Sequence, residues 1–354
     1  MTRARLALTR LGLALGATLA TLLVAELVAR AVGFDATPRP YSNAPVNLVP
    51  VEDPVLRFEN QRSASFEYFY PYGDGREPLV VRGSTNAQGF RGPELPLEHG
   101  AALRIACVGD SYTFGEGVED DGTWPAQLAV QLAQLRPQSQ FEVMNFGVNS
   151  YDTRQEARCL ESRVLPYAPD LVILSFFLND AAIRGLGEFA GHEYGRPPVL
   201  YRALTTREPF LALRRWSQLF DGLADSVVGY EYLVFLGESR SLMYTQDSRG
   251  WRIARDELAH AAQLCRDGAS EFLVVLYPLL FRRGEHLASH DAYLTVAQAC
   301  RELGIATLDL EPAFEGQDVD GLRVHRCDSH PNARGHAIAA RAIAAHLVET
   351  GLVR

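Results

Sequence analysis

From residue 103 onward, short apolar runs alternate with segments of helical periodicity, and this alternation limits the possible folds more than any other feature. The apolar runs are Leu103–Val108, Phe141–Phe146, Leu171–Leu178, Phe272–Tyr277 and Ile305–Leu310. Such continuous runs are typical of parallel strands that are buried on both faces, joined by helices that cross the sheet. The sequence therefore predicts an α/β, three-layer sandwich with a five-stranded parallel sheet in the flavodoxin-like order 2-1-3-4-5.

The segments around these runs complete the predicted organisation. Residues 34–100 are rich in Pro, Gly, Tyr and Asn, which predicts an irregular, partly β extension before the sheet domain of 101–354. Residues 181–255 interrupt the alternation with many aromatic side chains, and we interpret them as a lid-like insertion covering the site. Helices are expected at residues 123–135, 153–165, 252–267, near 291–303 and from Asn332 to the end.

The N-terminus carries a potential membrane anchor. Residues 1–10 contain arginine and no acid, and residues 11–33 form an apolar segment interrupted only by Glu26 and Arg30. As a helix this segment is about 34 Å long, enough to cross a bilayer. Glu26 and Arg30, four residues apart, are expected to pair near the far interface.

The charge bias predicts that residues 1–10 remain in the cytoplasm and that the rest lies in the periplasm, held to the cell membrane by a single pass. A cleaved signal peptide is the alternative, because Ala29-Arg30-Ala31 resembles a small-x-small cleavage site, and the protein would then be secreted.

Composition excludes several function classes. The net charge is -9, so nucleic acid is not an expected partner. The chain contains no lysine, which excludes a Schiff-base lysine, a Ser–Lys dyad and a P-loop lysine.

Polar residues follow three neighbouring strands of the predicted sheet. Ser111 follows strand 1, Gly147 ends strand 2 and Asn179 follows strand 3. Since strands 2 and 3 flank strand 1, the three residues should meet at one crevice at the carboxyl ends. A hydroxyl, a glycine N–H and an amide are a nucleophile and donors for an oxyanion, and His330 near the C-terminus supplies a base.

These residues lie in four ordered motifs: Gly-Asp-Ser at 109–111, Asn-x-Gly at 145–147, Asn-Asp at 179–180 and Asp-x-His-Pro at 328–331. Any one of them alone also fits a turn or a helix cap. Together they resemble the blocks of the SGNH, or GDSL-type, hydrolases over about residues 103–350 without the insertion. The Asn-Ala-Gln-Gly-Phe-Arg-Gly stretch at 86–92 resembles the segment before the core in anchored bacterial members.

The resemblance implies a serine esterase without metal or cofactor, acting on a small-molecule or glycan ester. By the same resemblance, Ser111 is the nucleophile, His330 the base and Asp328 the acid that orients it. The oxyanion hole would consist of the Ser111 N–H, the Gly147 N–H and the Asn179 side chain. Asp110 and Asp180 are interpreted as structural supports of the site.

Two positions depart from the family pattern. Phe177 stands where the family commonly has glycine, which should alter packing more than chemistry. The family often places its Asp three residues before the His, where this chain has Cys327, whereas Asp328 is only two residues before His330. In an extended chain residues i and i+2 point to one side, so a Ser–His dyad stays open as the alternative to the triad.

Other functions also stay open. An acyltransferase that acetylates an envelope polysaccharide needs the same residues, and a glycan-binding module could retain the fold without catalysis. His325, Cys327 and His330 could suggest a metal site, but no second ligand cluster has the usual zinc spacing. His336, His346 and the remaining histidines are interpreted as ordinary surface or helix residues. The oligomeric state cannot be read from the sequence.

Overall fold

The domain is built on a parallel sheet of five strands, as the sequence predicts. Strands β1 to β5 are Leu103–Gly109, Phe141–Gly147, Leu171–Phe176, Glu271–Leu276 and Ala306–Asp309. Their order in the sheet is β2-β1-β3-β4-β5, and all neighbours are parallel. The predicted flavodoxin-like order is confirmed. The last residue of β1, Gly109, lies opposite Gly147 of β2 and Ser175 of β3, so these three strands end at the same edge.

The computed structural model describes residues 3–32, 41–42, 48–70, 77–182, 203–204, 207–220, 222–224, 227, 243–245, 248–325 and 328–353. The contacts divide the chain into two compact units. One comprises residues 1–40, 70–79 and 197–232, and the other comprises residues 41–69, 80–196 and 233–354. Most of the predicted insertion of 181–255 lies outside the described residues.

The described α-helices, α1 to α8 in chain order, are Arg3–Ala31, Ser111–Phe114, Trp124–Leu135, Thr153–Cys159, Glu208–Trp216, Arg249–Asp267, His290–Glu302 and Ala333–Glu349. Of these, α1 and α5 belong to the smaller unit, and helices of the larger unit cover both faces of the sheet. Ile105 of β1 belongs to a buried apolar cluster with Leu128 of α3 and Ile343 of α8. Val108 of the same strand belongs to a second cluster with Ala157 of α4. Alternate side chains of a strand point to opposite faces, so β1 is buried on both.

Helix α4 is shorter than the sequence predicts. Asp152 caps the N-terminus of α4. Its side chain accepts the backbone N–H of Gln155, and the Gln155 side chain accepts the backbone N–H of Asp152, which together form a capping box. The expected helix of 153–165 nevertheless ends at Cys159 and continues as a π-helical turn, Leu160–Val164, and a 3₁₀ turn, Leu165–Tyr167. Pro166 lies in that last turn, where its ring cannot continue a regular helix.

Short antiparallel strands surround this core. Tyr41–Ser42, Ser65–Tyr70 and Leu79–Ser84 form one sheet, and Leu48–Pro50 pairs with Phe58–Asn60. Hairpins also join Arg282–Arg283 to His286–Leu287 and Arg323–His325 to Asp328–Pro331. The last of these hairpins carries two of the predicted site residues.

The smaller unit contains α1, in which Gly12–Ala31 is long and apolar enough to cross a membrane, with mean hydropathy 1.9. The expected pair is present in it, since the Arg30 guanidinium donates to Glu26 Oε1 at 2.7 Å. The Glu26 carboxylate also accepts hydrogen bonds from Ser217 Oγ and from the backbone N–H groups of Gln218 and Leu219. Trp216 O accepts a bond from Arg30.

Candidate active site

Ser111 lies at the start of the four-residue helix α2, directly after β1. Asp110 caps this helix, because its Oδ1 atom accepts the Tyr112 N–H at 2.8 Å. The sharp turn from strand to helix needs glycine on the neighbouring strand. A Cβ atom on Gly147 would lie 2.1 Å from Phe114 N, so only glycine lets α2 pack directly on β2. This packing holds Ser111 at the carboxyl edge of the sheet.

His330 and Asp328 reach Ser111 from the C-terminal hairpin. His330 Nε2 is 2.8 Å from Ser111 Oγ, and His330 Nδ1 is 2.6 Å from Asp328 Oδ1. The same Asp328 oxygen accepts the His330 backbone N–H at 2.9 Å. In the extended strand Asp328–Pro331 both side chains project to one side, and the carboxylate still reaches the ring nitrogen that faces away from Ser111. The three residues therefore have the hydrogen-bond connectivity of a catalytic triad.

Negative neighbours raise the pKa of His330 to about 10. Burial of the ring works in the opposite direction, but the carboxylates of Asp328, Glu116 and Asp110 outweigh it. The surroundings of His330 thus favour its imidazolium form.

Glu116 is a site residue that the sequence reasoning missed. Its Oε2 atom is 3.8 Å from His330 Nε2, on the ring edge that also faces Ser111. Asn149 Nδ2 donates to this carboxylate at 3.1 Å. Burial, followed by the nearby Asp328 and Asp110, raises the pKa of Glu116 to about 6, although His330 acts to lower it. A second carboxyl group, besides that of Asp328, therefore lies beside His330 at the ring edge that faces Ser111.

Arg91 fixes the loop that carries Glu116. Its buried guanidinium donates to the carbonyl oxygens of Phe114, Gly115 and Val118 and forms an ion pair with Asp120. Charge-assisted bonds to four acceptors tie residues 114–120 to the extension. Arg91 belongs to the 86–92 stretch, and the resemblance of this stretch to the segment before the core in anchored bacterial members was the available sequence signal.

The residues expected to form the oxyanion hole have different surroundings. Asn179 lies half-buried in the turn after β3, and its buried Oδ1 atom accepts no hydrogen bond from the described residues. The Gly147 N–H donates to Asn145 Oδ1 at 2.9 Å. Gly147 also provides the close packing against α2, and its place in the oxyanion hole stays a prediction.

Buried carboxyl groups support the site from below. The Oδ2 atom of Asp180 accepts the Phe177 N–H at 2.7 Å and so shapes the turn that carries Asn179. Burial, together with the charges of neighbouring carboxylates, raises the pKa values of Asp180 and Glu156 well above their usual range. Burial without a full set of hydrogen-bond partners among the described residues thus disfavours the charged form of both carboxyl groups.

Aromatic packing surrounds His330. The Phe177 ring stacks on Tyr112 with centroids 3.8 Å apart, and the Tyr112 ring centroid is 5.1 Å from that of His330. Phe177, in place of the common glycine, thus extends an apolar wall behind the base, in agreement with a change of packing.

Two further histidines that the sequence analysis considered, His336 and His325, are buried. His336 is a helix residue, as one of the two expected alternatives, and it is fully buried in α8, where its Nδ1 atom accepts the Trp124 N–H at 3.2 Å. Burial lowers the pKa of His336 to about 3, so it is a neutral structural acceptor. His325 is also buried, whereas Cys327 of the considered metal group lies outside the described residues.

Comparison with known proteins agrees with the motif pattern. Residues 107–338, more than half of the chain, match the GDSL-like Lipase/Acylhydrolase family. No curated protein matches the sequence.

Among solved structures, a lipolytic protein of the G-D-S-L family from Desulfitobacterium hafniense is 16% identical over 69% of this chain and 98% of its own, with TM-score 0.39. An acetylxylan esterase from Geobacillus stearothermophilus, a catalytic mutant, is 18% identical over 72% of this chain and 98% of its own, with TM-score 0.43. On the family match, this chain belongs to the GDSL-like lipases and acylhydrolases, which are hydrolases of ester bonds.

Proposed function

We propose that the protein is a serine esterase whose triad is Ser111, His330 and Asp328. The observation that carries this proposal is the chain of contacts from Ser111 Oγ to His330 Nε2 at 2.8 Å and from His330 Nδ1 to Asp328 at 2.6 Å. In the first step Ser111 Oγ attacks the ester carbonyl carbon and its proton passes to His330 Nε2. His330 then returns the proton to the leaving alcohol, and water releases the acyl group by the same route.

The developing oxyanion would be stabilised by the Ser111 N–H and the Asn179 side-chain amide. Ser111 begins α2 directly after β1 and Asn179 lies in the turn after β3, and these neighbouring strands end at the same edge of the sheet. Donors that are fixed before the reaction stabilise the tetrahedral intermediate without reorganisation. Gly147 is left out of this proposal because its N–H is already bonded to Asn145.

The substrate we propose is a small-molecule or glycan ester with a polar alcohol part. Glu116 borders His330 at the ring edge from which a proton is delivered to the leaving group, and Asn149 donates to the Glu116 carboxylate. Desolvating these groups against a purely apolar alcohol would be unfavourable, whereas hydroxyl groups can hydrogen-bond to them.

The test is hydrolysis of short p-nitrophenyl esters by the purified full-length protein in detergent, beside Ser111→Ala. We expect turnover by the wild type and loss of nearly all activity in the variant. Equal rates for the two proteins would refute a serine mechanism at Ser111.

The activity is expected to depend on pH through His330. The base must be neutral to accept a proton, so kcat/KM should rise with pH as the imidazolium, with its raised pKa of about 10, loses its proton. Glu116→Gln removes a negative neighbour, lowers the pKa of His330 and should move this rise to lower pH. The measurement is kcat/KM against pH, with Glu119→Gln as the control, because Glu119 is an exposed acid on the same loop. Superimposable profiles for all three proteins would exclude coupling between Glu116 and His330.

We further propose that α1 anchors the protein in the cytoplasmic membrane with the catalytic domain in the periplasm. The apolar length of Gly12–Ala31 and the arginines that precede it support this orientation. The contacts of Glu26 and Arg30 with residues 216–219 support a helix that is retained, since signal cleavage after Ala31 would remove both partners.

Fusion reporters test this topology. Alkaline phosphatase fused to the C-terminus should be active, because the enzyme requires an extracytoplasmic location, and the mass of the isolated protein should include residues 1–33. An active cytoplasmic reporter with inactive phosphatase would reverse the orientation. A membrane-free product that begins near residue 32 would instead establish signal cleavage.

A further inference from the structure

Two histidines and a buried glutamate meet in the larger unit, separate from the triad. His286 lies on the hairpin after β4, His290 is the first residue of α7 and Glu311 follows β5. One ligand atom of each lies within 4.8 Å of the others. The only other such trio among the described residues, Glu116, Asp328 and His330, belongs to the catalytic site.

Glu311 is held in place for this arrangement. Its side chain is 11% exposed, and its Oε1 atom accepts the Leu287 N–H at 2.9 Å. The Glu311 backbone N–H donates to Asp309 Oδ1 at 2.9 Å. A carboxylate whose position is fixed by backbone bonds is preorganised as a ligand, since little conformational freedom remains to be lost on binding.

The two imidazoles face this carboxylate unequally. His290 Nδ1 is 2.9 Å from Glu311 Oε2, which is a hydrogen bond, whereas His286 Nδ1 is 3.5 Å from Glu311 Oε1, too long for a good one. Their rings stack with centroids 3.8 Å apart. A hydrogen bond to Glu311 therefore explains the position of the His290 side chain but does not explain that of His286.

The geometry points to a divalent transition-metal site, and we propose that His286, His290 and Glu311 bind Zn²⁺. Zinc bonds of about 2.0–2.2 Å in a tetrahedron place neighbouring ligand atoms about 3.3–3.6 Å apart. The two imidazole nitrogens lie 2.9 Å from Glu311 Oε2 and 3.5 Å from Glu311 Oε1, so each is near that spacing from one oxygen of the carboxylate. Loss of the His290 Nδ1 proton and a small outward shift would admit the ion, and a water molecule would take the fourth position.

Both histidines can adjust without disturbing the core. A metal ion must lie in the plane of each ring, so the parallel stack has to open when it binds. The His286 side chain is 58% exposed and the His290 side chain 30%, which leaves room for this rotation. The bound ion would link the 282–287 hairpin, the start of α7 and the turn after β5, and should stabilise all three.

Metal titration of the full-length protein, without a histidine tag and after removal of metals by chelator, tests the site. We expect one Zn²⁺ per chain by calorimetry, a rise in Tm on binding, and visible absorption typical of tetrahedral Co²⁺ with cobalt. His286→Ala should weaken binding at least tenfold without unfolding the protein, because this side chain is exposed. Glu311→Gln should also weaken it, since a neutral amide is a poorer zinc ligand.

Two controls make the outcome specific. His260→Ala removes an exposed histidine from α6 and should leave the affinity unchanged. Asp328→Asn should leave it unchanged as well, because Asp328 belongs to the other trio. The proposal is overturned if no zinc binds, if binding survives in His286→Ala, or if it is lost in Asp328→Asn instead. These readouts do not depend on esterase activity, so the proposed function can fail while the metal site stands.

Discussion

Asp328→Asn is expected to lower kcat on an activated ester by about 10³- to 10⁴-fold while KM changes little. Asp328 Oδ1 holds both the backbone N–H and the Nδ1 atom of His330. Asparagine has the same shape but lacks the charge that stabilises the imidazolium formed when Ser111 gives up its proton. If the amide turns, its NH₂ group also favours the wrong tautomer of His330.

The measurement compares kcat of Asp328→Asn with Ser111→Ala and His330→Ala on one ester. It must be made where each pH profile is flat, because removal of the Asp328 charge also lowers the pKa of His330. Asp318→Asn, at an exposed acid of the same C-terminal region, is the matched control and should retain wild-type kcat. A loss under about tenfold in Asp328→Asn, with the Ser111 and His330 variants nearly inactive, would leave a Ser–His dyad as the mechanism.

The sheet could be predicted from the sequence because its strands are buried on both faces. A strand such as Leu171–Phe176, in which every residue is buried, leaves a continuous apolar run that does not depend on distant contacts. The right-handed crossover then restricts the strand order. Helix boundaries were less predictable, since Thr153–Leu165 has helical periodicity although its backbone widens into a π turn before Pro166.

The site was predictable where a motif fixed both a residue type and a place at a strand end. Ser111 and His330 were predicted in this way, and the structure brings them into hydrogen-bond contact, while their catalytic roles stay a prediction. For Gly147 the sequence could not separate two roles, because glycine serves equally as an N–H donor and as a point of close backbone approach. The bond to Asn145 and the proximity of Phe114 become visible only in the structure.

Glu116 could not be found from the sequence for a different reason. An acid between two glycines is typical of an exposed turn, and nothing local indicates that this loop folds back towards His330. The fold-back depends on Arg91, which lies in the extension and binds three carbonyl groups of residues 114–118. Such long-range contacts leave no periodicity along the chain. The cluster of His286, His290 and Glu311 could not be predicted for the same reason, because its residues come from three separate elements.

Asn179→Ala is expected to lower kcat by about 10²- to 10³-fold, the usual cost of losing one oxyanion-hole donor. Asn179 follows β3 at the edge where Ser111 follows β1, and its turn is held by the bond from Phe177 N–H to buried Asp180. The Asn179 Oδ1 atom accepts no hydrogen bond from the described residues. Replacing Asn179 by alanine therefore breaks no hydrogen bond to this oxygen. The variant should therefore keep its Tm and bind substrate with similar KM.

Asn86→Ala is the matched control, because it deletes the same amide at a position where the amide is structural. The Asn86 side chain accepts the N–H groups of Gln88 and Phe90 and thereby holds the turn before Arg91. This variant should lose Tm and largely retain kcat, the opposite of Asn179→Ala. Measuring kcat and Tm for both separates a donor to the transition state from a support of the fold. Wild-type kcat in Asn179→Ala, on an ester that the enzyme cleaves well, would mean that the oxyanion is stabilised by backbone N–H groups without this amide.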